Sequence, residues 1–366
     1  MHRDAALRER ETTGERFVYN SRLESIGAYL PPASMSTPEL LARMEKAPEF
    51  DLLRITGMAE RRVADDTAGT PEDCLTMALS AARACLGRSR YASEQIDVVI
   101  SCSISRTTDG RRHQFEPSFA RRIAGELGAH SAIHFDVSNA CAGMMTGVHL
   151  LDRMIRTGEV RNGLVLSGEH ITPIAFTAAR EMADSRDPQF ASLSVGDSAV
   201  AVIVDRAADD ADVIHDIELM TCSEYSHLCL GMPSDDTGDL AMYTDNKEMH
   251  AEDRLSLWPA FHRDRLADDG RRFADEGYDF VIQHQVGSRF IDFMNRVGEN
   301  IFGTPMPESL SVVEKFANTA TTSHYLVLHQ ALVERRIPRG SKILMVPAAS
   351  GVVTGFLSAT VSSLEV

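Results

Sequence analysis

Short β-branched runs alternate with amphipathic stretches along most of the chain. Ile96–Ile104, Ala132–Val137, Gly163–Ser167 and Ser198–Val204 have the compact apolar character of buried strands, while Pro71–Leu86, Pro117–Leu127 and Ala142–Thr157 repeat apolar residues at helical spacing. The rhythm then restarts. Strands are expected at Val213–Thr221, Phe280–His284, Ser311–Glu314, Lys342–Pro347 and Phe356–Val361, with helices at Ser288–Ile301 and Thr321–Arg335. Strands interleaved with helices predict an α/β fold, with helices covering the faces of a sheet. Two runs of the same kind without sequence identity point to a duplicated unit. The division falls near residue 206, where RAADDADV breaks the apolar pattern, so the expected halves are 1–206 and 207–366. The stretch 223–278 is rich in Asp, His, Met and Arg and holds the single tryptophan, Trp258. It departs from the rhythm and reads as an insertion, either a cover over a substrate channel or a surface excursion.

Composition narrows the class. With 366 residues and 43% hydrophobic content the chain can bury a large core, and its net charge of −16 repels nucleic acid and anionic membrane surfaces. The first twenty residues are charged throughout and lack an apolar leader segment, and no apolar run is long enough for a bilayer span, so a cytoplasmic location is expected. Five Arg-Arg pairs, from Arg61-Arg62 to Arg335-Arg336, leave room for local phosphate contacts. The six cysteines form no CxxC and the thirteen histidines no HExxH, so neither a metal site nor a cofactor is expected.

Candidate chemistry centres on one cysteine. Cys141 follows an apolar strand and precedes an amphipathic helix, where the positive end of the helix dipole favours thiolate over thiol. Small neighbours at Ala140, Ala142 and Gly143 would let a substrate carbonyl approach the Cys141 N–H as an oxyanion donor. The plainer reading is a small core residue. His284 and Asn318 stand at the ends of expected strands in the second half, where strand ends of α/β sheets build sites. Taken singly, one is a satisfied polar residue and the other a helix cap; taken with Cys141, they form a nucleophile, an imidazole and a carboxamide on converging loops.

The successive segments ITGMAERRV, DVSNACAGM, VGDSAVAVIV, VIQHQV, ANTATTS and AASGVVTG resemble the motifs of β-ketoacyl-acyl-carrier-protein synthase III and its thiolase-superfamily relatives, over roughly Leu23 to Val361. The resemblance implies a thiolase fold, with duplicated βαβαβαββ halves in a five-layered αβαβα arrangement, and a homodimer. It also implies a Cys141, His284, Asn318 triad, an oxyanion hole from the N–H groups of Cys141 and Gly351, and acyl-coenzyme A or acyl-carrier-protein thioesters as substrates. Arg289 matches a position that contacts the carrier protein in that family; otherwise it is a solvated helix arginine. Three departures stand out: HQVG with Gly287 in place of asparagine, FDLLR without the tryptophan that stacks on adenine, and ANTA in place of GNTS.

RRHQFEPSFARRI places Glu116 just before Pro117-Ser118, which is similar to the branch that joins two acyl thioesters head to head. In that branch a glutamate from the partner subunit removes an α-proton, a role that chemistry demands when no malonyl carboxylate is available to leave. The alternative for Glu116 is a carboxylate favoured at a helix start. The expected reaction is therefore a non-decarboxylative Claisen condensation through an acyl-Cys141 intermediate. Alternatives are decarboxylative condensation with a malonyl thioester, acyl transfer to a hydroxyl or amine, and a non-catalytic partner subunit.

Overall fold

The computed structural model describes residues 19–366 apart from Lys46 and Ala68, so most of the N-terminal stretch read above as lacking an apolar leader lies outside the described residues. The first half runs β1 (Ser21–Tyr29), α1 (Cys74–Leu86), β2 (Val98–Ser101), α2 (Phe119–Leu127), β3 (Ile133–Asp136), α3 (Gly143–Arg156), β4 (Asn162–Glu169) and β5 (Ser198–Arg206). The second runs β6 (Val213–Thr221), α4 (Leu257–Asp268), β7 (Phe280–Gln283), α5 (Ser288–Phe302), β8 (Glu308–Ser309), α6 (Ser323–Val333), β9 (Ser341–Val346) and β10 (Val353–Val361). Both read βαβαβαββ. Their sheets have the same strand order, β1-β5-β4-β2-β3 and β6-β10-β9-β7-β8, with a short strand, Ala348–Ala349, added beside β10. In each sheet the second, third and fourth strands are parallel and the fifth is antiparallel to its neighbours.

Alternation along the strands builds the layers, because successive side chains leave a strand on opposite faces. In β5, Val200, Val202 and Val204 join the core between the two sheets, whereas Ala199, Ala201 and Ile203 pack outward under α1 and α2. The second sheet repeats the division: Ile343 and Met345 of β9 face the middle, Leu344 and Val346 face α4 and α5. The central layer is α3 and α6, and α6 is buried on nearly every side at Tyr325, Leu326, Val327 and Leu328. The order is thus α1/α2, sheet, α3/α6, sheet, α4/α5, the five-layered thiolase fold expected from the sequence.

Local chemistry fixes the helix ends. Asp73 caps α1 in a reciprocal pair with Thr76, and Ser118 caps α2, which stops at Gly128 with φ +81°.

Two expectations need correction. The strand expected at Ser311–Glu314 is absent: pairing stops at Ser309 and Val313–Phe316 is helical. The Gln285 Oε1 accepts the Val312 N–H at 3.1 Å, diverting a backbone donor that a ladder would need, and also accepts the Ser311 hydroxyl at 2.8 Å. The 223–278 stretch is also not a single insertion. Its later part contains α4, the outer-layer helix of the second half, packed on β10 and α5 through Trp258 and Leu266, with Phe273 after the helix joining the same cluster. The part before it holds a hairpin, Cys229–Pro233 with Leu240–Thr244, and two short helices. Among the described residues no helix is long and apolar enough to cross a membrane.

Candidate active site

The two halves place matching turns at the centre. Cys141 lies on a 3₁₀ turn, Ala140–Ala142, between β3 and α3; the equivalent turn of the second half, Ala320–Thr322, lies between β8 and α6. Each turn begins on an alanine of positive φ, +44° at Ala140 and +52° at Ala320. Such values are unfavourable for a residue with a Cβ, so the surrounding contacts must hold them. The turns brace each other, because the Thr321 hydroxyl donates to the Ala140 carbonyl at 3.2 Å.

Asn318 stands two residues before its turn. Its backbone bridges Val195, with N–H to Ser194 O at 2.9 Å and C=O from Gly196 N–H at 3.0 Å. Its Oδ1 accepts the Ala320 N–H at 2.9 Å. That bond fixes the amide orientation, and the Nδ2 donors are left for a ligand.

His284 directly follows β7, is only 4% exposed, and its backbone N–H reaches Val346 O at 3.2 Å. Its Nδ1 is buried without a partner, so Nε2 is the ring nitrogen left open to the site. A second imidazole, His324, stacks on it with ring centroids 5.6 Å apart and bonds the same Val346 carbonyl through Nε2 at 2.9 Å. Burial pulls His284 down to about 3, with His324 adding to the effect, and burial pulls His324 down to about 4. Both rings are neutral at ordinary pH, so Nε2–H of His284 can donate without carrying charge.

Cys141 keeps some surface while packing against Ala349 and Val353. Burial pushes its thiol up to about 12, and Cys229 and Glu169 act in the same direction. The resting group is therefore a thiol, contrary to the expectation from the helix dipole alone, since burial outweighs the dipole here. Gly351, at φ +122°, lies in the turn after Ala348–Ala349, the strand that covers Cys141. Among the described residues its N–H donates to no protein acceptor. The Cys141 turn thus touches the turn that follows Asn318 and the short strand that precedes Gly351, while His284 meets the Val346 carbonyl just before that strand.

Glu116 and Arg289 are elsewhere. Glu116 is exposed on the turn before α2, and among the described residues its carboxylate has no hydrogen-bond or ion-pair partner. Arg289 is exposed in the first turn of α5, where the helix dipole disfavours a cation, so it does not stabilise that helix. Next to it is the helix Leu52–Thr56, where the adenine-stacking tryptophan is missing; Leu53, Arg54 and Ile55 are exposed there. Gly287, the departure in HQVG, is explained by close approach, because a Cβ there would sit 3.0 Å from Thr56 O. Sequence reasoning did not single out His324 or Thr321; the only signal was their place in the segment around Asn318. Among the described residues no three His, Cys, Asp or Glu are grouped to hold a metal ion.

Comparison with known proteins bears on this arrangement. The family model for 3-oxoacyl-[acyl-carrier-protein] synthase III matches residues 135–222 and that for its C-terminal part matches 271–360. The β-ketoacyl-[acyl-carrier-protein] synthase III of Rickettsia akari is 27% identical over 334 residues, covering 90% of this chain and 96% of that protein. Synthase III 1 of Bacillus cereus is 28% identical over 342 residues, 92% of this chain and 97% of that one. Among solved structures, the Aquifex aeolicus synthase III superposes with a TM-score of 0.74 at 23% identity, covering 93% of this chain and 99% of that chain. Xanthomonas campestris OleA, as a cysteine-to-serine variant with bound lauric acid and lauroyl-CoA, superposes with a TM-score of 0.77 at 22% identity over 93% of this chain and 99% of that chain.

Proposed function

Since the chain belongs to the β-ketoacyl-acyl-carrier-protein synthase III-like condensing acyltransferases of the thiolase superfamily, we propose that it joins two acyl thioesters by a non-decarboxylative Claisen condensation through an acyl-Cys141 intermediate. Cys141 attacks the first thioester while its own N–H and that of Gly351 stabilise the tetrahedral oxyanion. The Cys141 proton ends on the departing carrier thiol, so the acylation consumes no base. A second thioester then enters. Glu116 of a second copy removes its α-proton, His284 Nε2–H and an Asn318 Nδ2–H hold the enolate oxygen, and the carbanion attacks the acyl carbon. Cys141 leaves as thiolate and recovers the proton from Glu116, which resets both groups.

The observation that carries this reading is Glu116 itself, an unpaired carboxylate exposed before α2 and beside Phe115, which is 86% exposed. Among the described residues the nearby edge strand β3 pairs with β2 alone and leaves Ile133 52% exposed, which fits a homodimer formed along that edge. Solved structures of OleA include variants at a glutamate and at a cysteine, which supports weighing both residue types here. Exposed Arg54 and Arg289 suit the phosphates of a coenzyme A or carrier-protein thioester. The Rickettsia akari, Bacillus cereus and Aquifex aeolicus relatives, each named synthase III, favour a second reading in which a malonyl thioester loses carbon dioxide and Glu116 has no chemical part.

Intact-protein mass spectrometry with a panel of acyl thioesters separates them. Wild type and Glu116→Gln should both gain the acyl mass, Cys141→Ala should not, and coupled product should appear only with Glu116 present. Normal condensation by Glu116→Gln would refute the base assignment.

A further inference from the structure

A glutamate on a free loop would be a poor base, because its carboxylate would spend most of its time away from the α-carbon. The turn that carries Glu116 is not free. Gln114 Nε2 donates to Pro117 O at 2.7 Å, closing the turn across Glu116. Arg122, inside α2, in turn donates to Gln114 Oε1. On the far side, both oxygens of Asp136 accept backbone donors from the first turn of α2: Oδ2 from Phe119 N–H at 2.9 Å and Oδ1 from Ala120 N–H at 2.8 Å. Arg106 Nη1 stands 3.7 Å from the same carboxylate.

Capping explains only part of this arrangement. Ser118 accepts the Arg121 N–H and Asp136 satisfies two further N–H groups of the first turn, but the Gln114 bond to Pro117 adds nothing to the helix. Asp136 is, besides a cap, a link. It is the last residue of the edge strand β3, and five residues later the chain reaches Cys141. A charge-assisted pair of bonds thus ties the Glu116 turn to the strand that lies along the open edge and leads into the nucleophile's loop.

We infer that Asp136 and Gln114 are positioning residues for Glu116, holding its turn in register with β3 so that the carboxylate meets the acyl-Cys141 site of a second copy. This rests on the reading of Glu116 as the base. Neither residue touches the reacting atoms, so both act on proton removal and leave the formation of the acyl-enzyme alone.

The test uses the full chain and three measurements: acylation of Cys141 by intact mass, wash-in of deuterium from D₂O at the α-carbon of the second thioester, and kcat and KM for condensation. Asp136→Ala and Gln114→Ala should acylate at the wild-type rate. They should lose α-deuterium exchange and condensation kcat by about ten- to a hundredfold, the scale of a misplacement of about 1 Å, with KM nearly unchanged. Asp136→Asn, whose Oδ1 can still accept one N–H, should recover part of the rate. If both alanine variants exchange and condense normally while Glu116→Gln does not, the positioning inference is overturned and the base reading stands. If Glu116→Gln is itself normal, the base reading falls and this inference with it. Loss of acylation together with condensation in Gln114→Ala would assign the turn a general structural role and also overturn the inference. Should Asp136→Ala fail to fold, Gln114→Ala decides alone, because it leaves the helix cap intact.

Discussion

Acid should unfold this protein through its buried histidines, and His262 allows the effect to be isolated. Its ring is fully buried, stacked on Phe356 with centroids 3.7 Å apart and met edge-on by Phe273 and Phe302, and neither ring nitrogen has a partner. Burial pulls it down to about 3, against weaker opposition from Glu276 and Asp216. An unfolded histidine titrates near 6.5. Between those values the unfolded chain holds one more proton at this position than the folded chain, so stability is full above about 6.5 and falls with pH down to about 3. From pH 7 to pH 5 the loss is about 2 kcal/mol for one such group. His284 and His324 behave alike, bringing the total to about 6 kcal/mol, comparable to the whole stability of many domains. Glu169 and Glu218, which burial raises, work in the opposite sense, but they are common to wild type and variant and cancel in the comparison. His262→Leu keeps roughly the side-chain volume and removes the titrating group. Urea unfolding at pH 7 and pH 5 should show the variant losing about 2 kcal/mol less than wild type between the two conditions. An equal loss in both proteins would refute the argument that His262 stays neutral in the fold.

Two further outcomes follow from backbone geometry at the site. Ala317 stands where the family motif has glycine and adopts φ +58°, ψ −156°, a region that costs a residue with a Cβ about 1–3 kcal/mol, so Ala317→Gly should raise the urea midpoint once the greater freedom of the unfolded glycine is subtracted. A lowered midpoint would show that the strain is absent. Ala140→Val puts a β-branched residue at φ +44° directly before Cys141, and it should abolish acylation by thioesters while far-UV circular dichroism stays near wild type; normal acylation would refute the claim that this turn aims the sulfur.

The elements that were legible in the sequence are those written as short apolar, β-branched runs. Val213–Thr221 was read with its true limits although its pairing shifts register between Ile214 and Asp216, and β2, β4, β5 and β7, compact apolar runs buried on both faces, were found within a few residues. β1 escaped notice because Glu24 interrupts its apolar run, yet that carboxylate is buried and satisfied, accepting the Ser89 hydroxyl at 2.8 Å and the Arg90 N–H at 2.9 Å. α4 escaped because LWPAFHRDRLAD mixes a proline, a buried histidine and four charges, and its membership of the outer layer depends on aromatic neighbours far along the chain. The loop residues Cys141, His284, Asn318 and Gly351 were visible through motifs at strand ends. His324 was not, since a histidine inside a helical pattern carries no mark of the ring it stacks on. Nor was Asp136 as a partner of the α2 N-terminus, because a hydrogen bond between segments sixteen and seventeen residues apart leaves no local signature.

The duplicated topology gives a reason for the division of labour at the centre. Cys141 and Thr321 occupy the same position in the turns that open α3 and α6, each after an alanine of positive φ. If the halves had kept identical chemistry, two nucleophiles would face each other across the central layer. Instead the hydroxyl of Thr321 is spent on the carbonyl of Ala140, at 3.2 Å, so that the second turn supports the first. The same second turn fixes the Asn318 amide through the Ala320 N–H, leaving its donors outward. On the proposed mechanism one half therefore presents the sulfur and the other the donors that hold the oxygen of the group it meets. Because the two turns are bonded to each other, a shift of either α3 or α6 along its axis would carry the Cys141 turn and the Asn318 amide together, whereas His284, held by β7, would stay behind, so the proposed mechanism requires that neither helix slides.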